Sequence, residues 1–279
     1  MSYAFMRFPG HKELAFTLSY DDGEAADKRL VAIFNRYGVK GTFNLNGKKA
    51  DEVGRFPIEE AKALYLPNGH EVAIHGAKHY SFGEIPRGML LQEVMDNRRA
   101  LENTFDTIVQ GLAYPNGSVS DEVVEVLKGC EVNYARTVSS TEGFEIPTEW
   151  LKWNPTCHHK NPRLMELAET FLKGGNKRHF FYHKPLLFYV WGHSYEFDLA
   201  NNWELIEKLC EYMGGREEVW YATNGEIYDY VKAYEALVYS ADGLQVKNPT
   251  CIDVYLQYFG KPYVVPAGKT IKLEKYERR

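Results

Sequence analysis

The sequence predicts an α/β fold with a curled or wound parallel sheet. Seven short apolar runs have the length of buried strands, and segments with the periodicity of amphipathic helices separate them. Such a regular alternation is typical of parallel βα units, in which each helix returns the chain to the start of the next strand. With 279 residues, 44% of them hydrophobic, the chain is long enough to bury a full-sized core.

The predicted elements follow one another in order along the chain. Strands are expected at 14–18, 41–45, 71–74, 108–113, 132–138, 185–192 and 218–221, and helices at 24–37, 57–66, 86–105, 121–128, 162–172, 203–213 and 225–238. Gly38 follows the first helix and is expected to cap its carboxyl end. The long segment between 139 and 160 shows no regular pattern.

The residues from 241 onward have a different pattern. Short runs at 244–246, 252–258, 263–265 and 270–273 are separated by Gly- and Pro-containing turns, which predicts small antiparallel strands. We therefore expect a main domain of residues 1–240 and a small β-rich appendage of residues 241–279.

Charge and composition exclude several classes of partner. The net charge is −5 and the pI is about 6.0, so we expect no nucleic-acid partner and no binding to an anionic membrane. The first ten residues lack a signal-peptide pattern and no apolar run reaches about 18 residues, which favours a cytoplasmic protein. The four cysteines are far apart, so reduced thiols are expected. The oligomeric state stays open.

The first candidate for chemistry is the pair Asp21 and Asp22, which ends the run Leu-Ala-Phe-Thr-Leu-Ser-Tyr-Asp-Asp-Gly. Carboxyl ends of strands are where α/β folds place their active sites. In an extended segment adjacent side chains point in opposite directions, so the two carboxylates need not have the same role. A simple helix-capping turn is the alternative for this motif alone.

Three histidines also follow predicted strands. His75 and His79 lie four residues apart after one strand, in His-Gly-Ala-Lys-His, and His193 follows another in Trp-Gly-His-Ser. One aspartate and two histidines would give a metal ion three protein ligands and leave a position open for water, as in catalytic zinc sites. Because parallel strands end at one edge of the sheet, these residues are expected to meet there.

The ordered set Thr-Leu-Ser-Tyr-Asp-Asp-Gly, His-Gly-Ala-Lys-His, Ala-Tyr-Pro-Asn-Gly and a late Gly-His resembles the polysaccharide deacetylase family of metal-dependent carbohydrate esterases. The resemblance runs from about residue 14 to residue 221. It implies a distorted (β/α) barrel of about seven parallel strands. It also implies a hydrolase that removes an N-acetyl or other acyl group from an amino sugar or oligosaccharide.

The resemblance also implies roles for single residues. Asp21 would be the general base and His193 the general acid, with Asp22, His75 and His79 as ligands of a divalent ion, zinc first and cobalt, nickel, manganese or iron as alternatives. The turn around Pro115 and Asn116 would supply a backbone N–H to the oxyanion. Aromatic side chains near these motifs could contact a sugar ring; they are Tyr20, Tyr114, Trp191 and Tyr195.

The chain departs from the family pattern at several positions. Gly76 stands where the family has Ser or Thr, and Ala113 stands where it has the arginine that orients the base. Arg136, at the end of the fifth predicted strand, is the candidate to replace that arginine. The family's aspartate partner of the acid histidine is not evident; His158 and His159 lie in the corresponding region and either line the site or belong to a plain loop.

Two other functions remain open at this point. A chain without the family arginine could be a catalytically silent carbohydrate-binding relative. It could also be a deacylase of a small non-carbohydrate amide or ester. The presence of both Asp21 and His193 favours catalysis, because a binding protein needs neither an acid nor a base.

Overall fold

The computed structural model describes residues 4–47, 52–174 and 184–275 of the chain. Its strands are β1 (Ala4–Arg7), β2 (Leu14–Asp21), β3 (Gly41–Leu45), β4 (Glu52–Val53), β5 (Phe56–Pro57), β6 (Glu71–Ile74), β7 (Gly111–Ala113), β8 (Tyr134–Arg136), β9 (Cys157–His158), β10 (Leu186–His193), β11 (Val219–Tyr221), β12 (Val238–Tyr239), β13 (Gln245–Lys247), β14 (Val254–Tyr258), β15 (Lys261–Val265) and β16 (Thr270–Lys272). Its helices are α1 (Asp27–Tyr37), α2 (Ile58–Leu64), α3 (Arg87–Phe105), α4 (Asp121–Gly129), α5 (Leu164–Leu172), α6 (Tyr195–Ala200), α7 (Glu204–Met213) and α8 (Asn224–Glu235).

The main sheet is parallel and contains all seven predicted strands. Its order is β8-β7-β6-β3-β2-β10-β9, and β11 pairs with the first half of β2. The eighth strand, β9, is only two residues long, too short to give a periodic signal in the sequence. Helix α6 was also not predicted, because six residues do not complete two turns of an apolar stripe.

The segment between β8 and β9 closes the sheet. Trp153 donates its N–H to the carbonyl of Ala135 and accepts from the N–H of Thr137, both at 2.9 Å, so it pairs with the end of β8. A few residues later, Thr156 donates to Tyr189 at 2.9 Å, on β10. The irregular segment therefore fills the gap between the outermost strands, and the sheet curls into the distorted (β/α) barrel that the sequence resemblance implies.

Strand β2 is the central strand and is buried along all eight residues. Its even-numbered side chains, such as Phe16, pack outward against the helices, and its odd-numbered side chains point into the barrel. The interior positions are polar towards the carboxyl end: Thr17 donates to Asn224 and Ser19 accepts from Asn44. This polar interior leads directly to Asp21 at the rim of the barrel.

The C-terminal residues form short antiparallel strands, as predicted. β14 and β15 pair with each other, and β12, β13 and β16 form a second sheet. The N-terminal strand β1 joins the first of these sheets by pairing with β14, a contact that the sequence did not indicate. The division at residue 240 stays a prediction.

Two further sequence predictions concern the thiols and the membrane. All four cysteines are free thiols, and three of them are buried. Among the helices in the described part of the chain, none combines the length and the apolar character needed to cross a bilayer. The cytoplasmic location stays a prediction.

Candidate metal and catalytic site

The candidate residues meet at the carboxyl ends of the central strands. Asp21 is the last residue of β2 and His193 the last of β10, and the two are register partners in the parallel sheet. His75 follows β6 directly, and its N–H donates to the carbonyl of Leu45 at the end of β3. The expectation that these strand-end residues share one edge of the sheet is therefore met.

Asp22, His75 and His79 form a group whose ligand atoms could hold a metal ion. Both imidazole Nε2 atoms lie 3.5 Å from Asp22 Oδ1 and 3.1 Å from each other. An ion bonded to each atom at about 2.0–2.1 Å in tetrahedral geometry would space the ligands about 3.3–3.4 Å apart. The distances among these three ligand atoms therefore fit an ion of the size of Zn²⁺.

His75 is held in the tautomer that a metal needs. Its Nδ1 lies 2.9 Å from the carbonyl oxygen of Ala113 and donates to it, which leaves Nε2 unprotonated. Its backbone N–H lies 2.9 Å from Oδ1 of Asn97, on α3. Burial lowers the pKa of His75 although Asp21 and Asp22 act in the opposite direction, so the ring is neutral at pH 7. Nε2 is therefore available as a ligand atom.

The backbone is strained at this group. Asp22 and His79 adopt left-handed conformations, with φ of 77° and 59°, and so does Gly76 with 79°. Non-glycine residues adopt this region at a cost of about 1–3 kcal/mol, and such residues cluster at functional sites. The turn at Asp22 also brings its carboxylate to the same side as that of Asp21, so the opposite directions expected for an extended segment do not occur.

Asp21 is a buried carboxylate with two polar partners. The Arg136 guanidinium donates to its Oδ2, and Nδ2 of Asn44 donates to its Oδ1 at 2.8 Å. Burial alone would raise the pKa of Asp21, but the nearby Arg136 cation and the histidines outweigh it and the pKa is lowered. The prediction that Arg136 replaces the missing arginine beside this carboxylate is confirmed.

His193 faces both carboxylates from the neighbouring strand β10. Its Nε2 lies 4.0 Å from Asp21 Oδ2 and 3.9 Å from Asp22 Oδ2. Its other ring nitrogen, Nδ1, lies 3.6 Å from Oε2 of Glu196, on α6. Burial acts to lower the pKa of His193, but these three carboxylates together raise it. The imidazole can therefore carry a proton beside the proposed metal group.

The turn after β7 lies beside the His75 loop. Asn116 has a left-handed φ of 55°, and its side-chain amide donates to the hydroxyl of Ser81 at 3.0 Å. Pro115 is buried, and a Cβ placed at Gly76 would lie 3.4 Å from its ring. A backbone N–H for an oxyanion at this turn stays a prediction.

The four aromatic candidates differ in exposure. Tyr20 points into the core between Phe34 and Phe197 and has no accessible surface. Tyr114 is also buried, and its hydroxyl donates to the carbonyl of Leu151. These two side chains offer no surface to a sugar, because each lies on the helix side of its strand, and we leave them out of the proposed substrate surface.

Trp191 and Tyr195 lie next to the site. The Trp191 ring packs on the Arg136 guanidinium at 4.3 Å, and only 8% of the residue is exposed. The Tyr195 ring lies 5.3 Å from that of His193 and is partly exposed. Tyr195 is thus the better placed of the two for a contact with substrate, and both stay predictions.

Sequence reasoning missed three supporting residues. Glu196 lies beside His193, and Asn97 and Glu93 on α3 hold the His75–His79 loop, with Glu93 accepting from the N–H of Lys78 at 2.8 Å. Glu93 and Asn97 are four residues apart on one helix face, and this spacing was the only sequence signal that could have paired them.

The sequence profile of the polysaccharide deacetylase family matches residues 10–135, which include the Asp-Asp and His-x-x-x-His motifs but neither Arg136 nor His193. A sequence search of curated proteins finds no significant match.

Several solved structures share the fold at low identity. A Mycobacterium smegmatis protein assigned to the polysaccharide deacetylases is 17% identical, with a TM-score of 0.59, over 84% of this chain and 96% of its own. A carbohydrate esterase domain of a multidomain xylanase from the hindgut metagenome of Trinervitermes trinervoides is 14% identical, with a TM-score of 0.51, over 79% and 92%. A mutant of a Bacillus subtilis peptidoglycan deacetylase is 14% identical, also with 0.51, over 80% and 94%.

The profile match and the shared fold agree with the motifs on which the sequence resemblance rests. The matched residues include β2, β3, β6 and β7, the first four strands of the barrel. They also include the Asp pair, both histidines of the loop and the turn at Asn116. The resemblance to the polysaccharide deacetylase family is thereby confirmed over residues 10–135, the part of the chain that the family profile matches.

Proposed function

We propose that this chain is a divalent-metal-dependent deacetylase that hydrolyses the N-acetyl, or another N-acyl, group of an amino sugar or oligosaccharide. The observation that carries the proposal is the convergence of a candidate base, a candidate acid and a three-ligand group. Asp21 Oδ2 lies 3.9 Å from His75 Nε2 and 4.0 Å from His193 Nε2. A carboxylate and an imidazole on either side of a metal group are what amide hydrolysis requires.

Asp22, His75 and His79 would hold the ion. When bound there, a divalent ion supplies Lewis acidity that polarises the amide carbonyl and makes the attacking water more acidic. Two neutral imidazoles and one carboxylate suit Zn²⁺, and they also suit cobalt, nickel, manganese or iron. Asn46 donates to Asp22 Oδ1 at 3.2 Å and would keep the carboxylate turned towards the histidines.

Asp21 would act as the base. Arg136 and Asn44 hold its carboxylate ionised and fixed, so it can accept a proton from the attacking water. His193 would act as the acid, giving its Nε2 proton to the nitrogen of the departing amine as the C–N bond breaks. One proton enters Asp21 and one leaves His193, so the products are a carboxylic acid and an amine.

The test begins with metal content, because it needs no assumption about the substrate. Wild type and His75→Ala/His79→Ala are loaded with Zn²⁺, desalted and analysed for elements, with His11→Ala as a histidine control remote from the site. We expect close to one ion per chain in wild type and control and a loss in the double variant. A wild type that retains no more zinc than the double variant would overturn the proposal.

Activity is then measured as acetate release from N-acetylated chitooligosaccharides, with Asp21→Asn as the inactive control. Release by wild type alone supports the proposed reaction. A zinc-loaded wild type that binds these sugars without releasing acetate would identify a silent carbohydrate-binding relative. Acetate release from small amides or aryl esters but not from sugars would identify a deacylase of non-carbohydrate compounds.

A further inference from the structure

Glu196 lies at the centre of a cluster of side chains that the proposed reaction does not yet use. Its Oε2 lies 3.2 Å from His158 Nε2, 3.1 Å from His159 Nε2 and 3.6 Å from His193 Nδ1. Its Oε1 lies 2.6 Å from Lys160 Nζ. The Glu196 side chain is only 12% exposed, so this carboxylate is largely withdrawn from water, and each of its oxygens faces at least one nitrogen donor.

A second metal site is the alternative for this cluster, because His158, His159 and Glu196 bring three possible ligand atoms together. The hydrogen bonds argue against that interpretation. Nδ1 of His158 accepts the N–H of Lys160 at 3.1 Å, so in the neutral ring the proton is on Nε2, the atom that faces Glu196. A protonated Nε2 donates a hydrogen bond and cannot ligate a metal. The Lys160 ammonium beside Oε1 further disfavours a cation.

His159 is fixed by its packing. Its backbone N–H donates to the carbonyl of Trp191 at 2.8 Å, and its imidazole ring stacks on the Phe197 ring with centroids 4.3 Å apart. Gly192 makes room for this ring, because a Cβ at that position would lie 2.0 Å from His159 Nδ1. Burial lowers the pKa of His159 to about 4, so the ring is neutral and its Nε2–H can donate to Glu196.

His193 completes the cluster through Nδ1, the ring nitrogen that does not face Asp21. Its Nδ1 is buried and has no hydrogen-bond partner among the described residues, and Glu196 Oε2 is the carboxylate oxygen that faces it. The backbone N–H of His193 also points to Oε2, at 3.4 Å. A proton on Nδ1 directed at Glu196 leaves Nε2, the atom that faces Asp21, to accept and release the proton of the reaction.

We propose that Glu196, held by His158, His159 and Lys160, is the positioning residue that fixes the ring orientation and tautomer of His193. The inference rests on the proposed function of His193 as the acid. In this chain the supporting carboxylate lies on α6, three residues after His193. The family resemblance implies an aspartate in that role, from a more distant part of the sequence. His158 and His159 then act on His193 through Glu196.

The first test reads the tautomer directly and needs no metal and no substrate. Imidazole ¹⁵N spectra are recorded at pH 8 on wild type, Glu196→Gln and Glu196→Ala, with His193→Gln assigning the His193 signals. We expect the Nδ1–H tautomer at His193 in wild type and a shift towards the Nε2–H tautomer in Glu196→Ala. Asp198→Asn, an acidic residue of the same helix that accepts from Trp203, is the control and should leave the signals unchanged.

The second test separates support of the acid from a general structural role. An amide needs its leaving nitrogen protonated, whereas 4-nitrophenyl acetate has a leaving group that departs without a proton. We expect Glu196→Gln to lower kcat for a chitooligosaccharide about 10- to 100-fold and for the aryl ester less than about threefold. In a His193→Ala background the same substitution should have no further effect on the amide.

Each outcome has a defined meaning. An unchanged His193 tautomer in Glu196→Ala, or equal losses on amide and ester, would overturn the inference. Two zinc ions per chain in wild type and one in Glu196→Gln would overturn it in favour of a second metal site. If wild type hydrolyses neither substrate, the proposed function fails, and the tautomer measurement alone then decides the role of Glu196.

Discussion

Ala113 and Arg136 are register partners on the neighbouring parallel strands β7 and β8. Side chains of register partners project from the same face of a sheet, here into the barrel. The family resemblance places an arginine at position 113, and in this chain the guanidinium reaches Asp21 from position 136, one strand further along. The Asp21 carboxylate thus keeps a buried cationic partner although the residue at the family position is an alanine.

The first prediction is that Arg136→Ala strongly impairs both stability and activity. Removing one partner of a buried ion pair costs about 3–5 kcal/mol, because the remaining charge is left unpaired. The free energy of unfolding from urea titration should fall by that amount, and kcat for acetate release should fall at least about 100-fold. Arg136→Lys should recover part of the stability but little of kcat, because lysine lacks the planar fork.

A relocated arginine is the sharper form of this test. The double variant Arg136→Ala/Ala113→Arg should regain about tenfold in kcat over Arg136→Ala, because the new guanidinium starts from the register partner. Ala113→Arg alone should only destabilise, since the interior already contains Arg136. A double variant no better than Arg136→Ala would show that the position of the guanidinium, and not only its presence, is fixed by β8.

The parts of the site that lie at strand ends could be predicted from sequence. Asp21, His75 and His193 each follow an apolar run, and the parallel arrangement of those runs brings them together. Arg136 could be proposed for the same reason. Glu196 could not, because α6 is too short to give a periodic pattern, and because His158, His159 and Lys160 belong to a segment whose sequence shows no regular pattern. The predicted contact of Tyr20 with a sugar is wrong, because adjacent side chains of a strand point to opposite faces and Tyr20 therefore points away from the face that carries Asp21.

The second prediction concerns the support of the metal group from α3. Asn97 accepts from the backbone N–H of His75 and donates to the carbonyl of Gly47 at 3.3 Å, so it joins the two loops that follow β6 and β3. Asn97→Ala should weaken zinc binding about 10- to 100-fold, measured by competition with a chelator. Asn68→Ala, whose amide donates to exposed carbonyls of α2, should bind zinc as wild type does. Unchanged zinc affinity in Asn97→Ala would show that the loop holds its conformation without this residue.

The third prediction explains why Gly76 departs from the family's Ser or Thr. Its φ of +79° is unfavourable for any residue with a Cβ, and a Cβ there would lie 3.3 Å from Glu93 Oε2 and from the Phe82 ring. Gly76→Ala should therefore lower the free energy of unfolding by about 1–3 kcal/mol. Gly88→Ala is the matched control, because it lies in α3 with open space around its Cβ and should be neutral or stabilising. Equal effects of the two substitutions would contradict this explanation.

The fourth prediction is a pH-dependent stability that arises from His70. Its Nδ1 accepts the N–H of Gly41 at 3.2 Å and its Nε2 lies 3.1 Å from Asn35 Oδ1, an arrangement that only the neutral ring can make. Burial, assisted by the Lys40 charge, lowers the pKa of His70 from its ordinary value of 6.5 to about 4. Below pH 6.5 the unfolded chain binds a proton that the folded chain does not, so this contribution is complete above pH 6.5 and is lost as the pH falls towards 4.

The measurement compares the free energy of unfolding of wild type and His70→Asn by urea titration from pH 7.5 to pH 4. Asn keeps an acceptor near Gly41 but does not titrate, so the variant should lack this part of the pH dependence. At about 1.4 kcal/mol per pH unit, the advantage of wild type over the variant should shrink by up to about 3 kcal/mol between pH 6.5 and pH 4. His159 titrates in the same range but is present in both proteins, so it cancels in the difference. A difference that stays constant across this range would mean that His70 is protonated to the same extent in the folded and unfolded chains, and its buried hydrogen bonds would then have to be assigned differently.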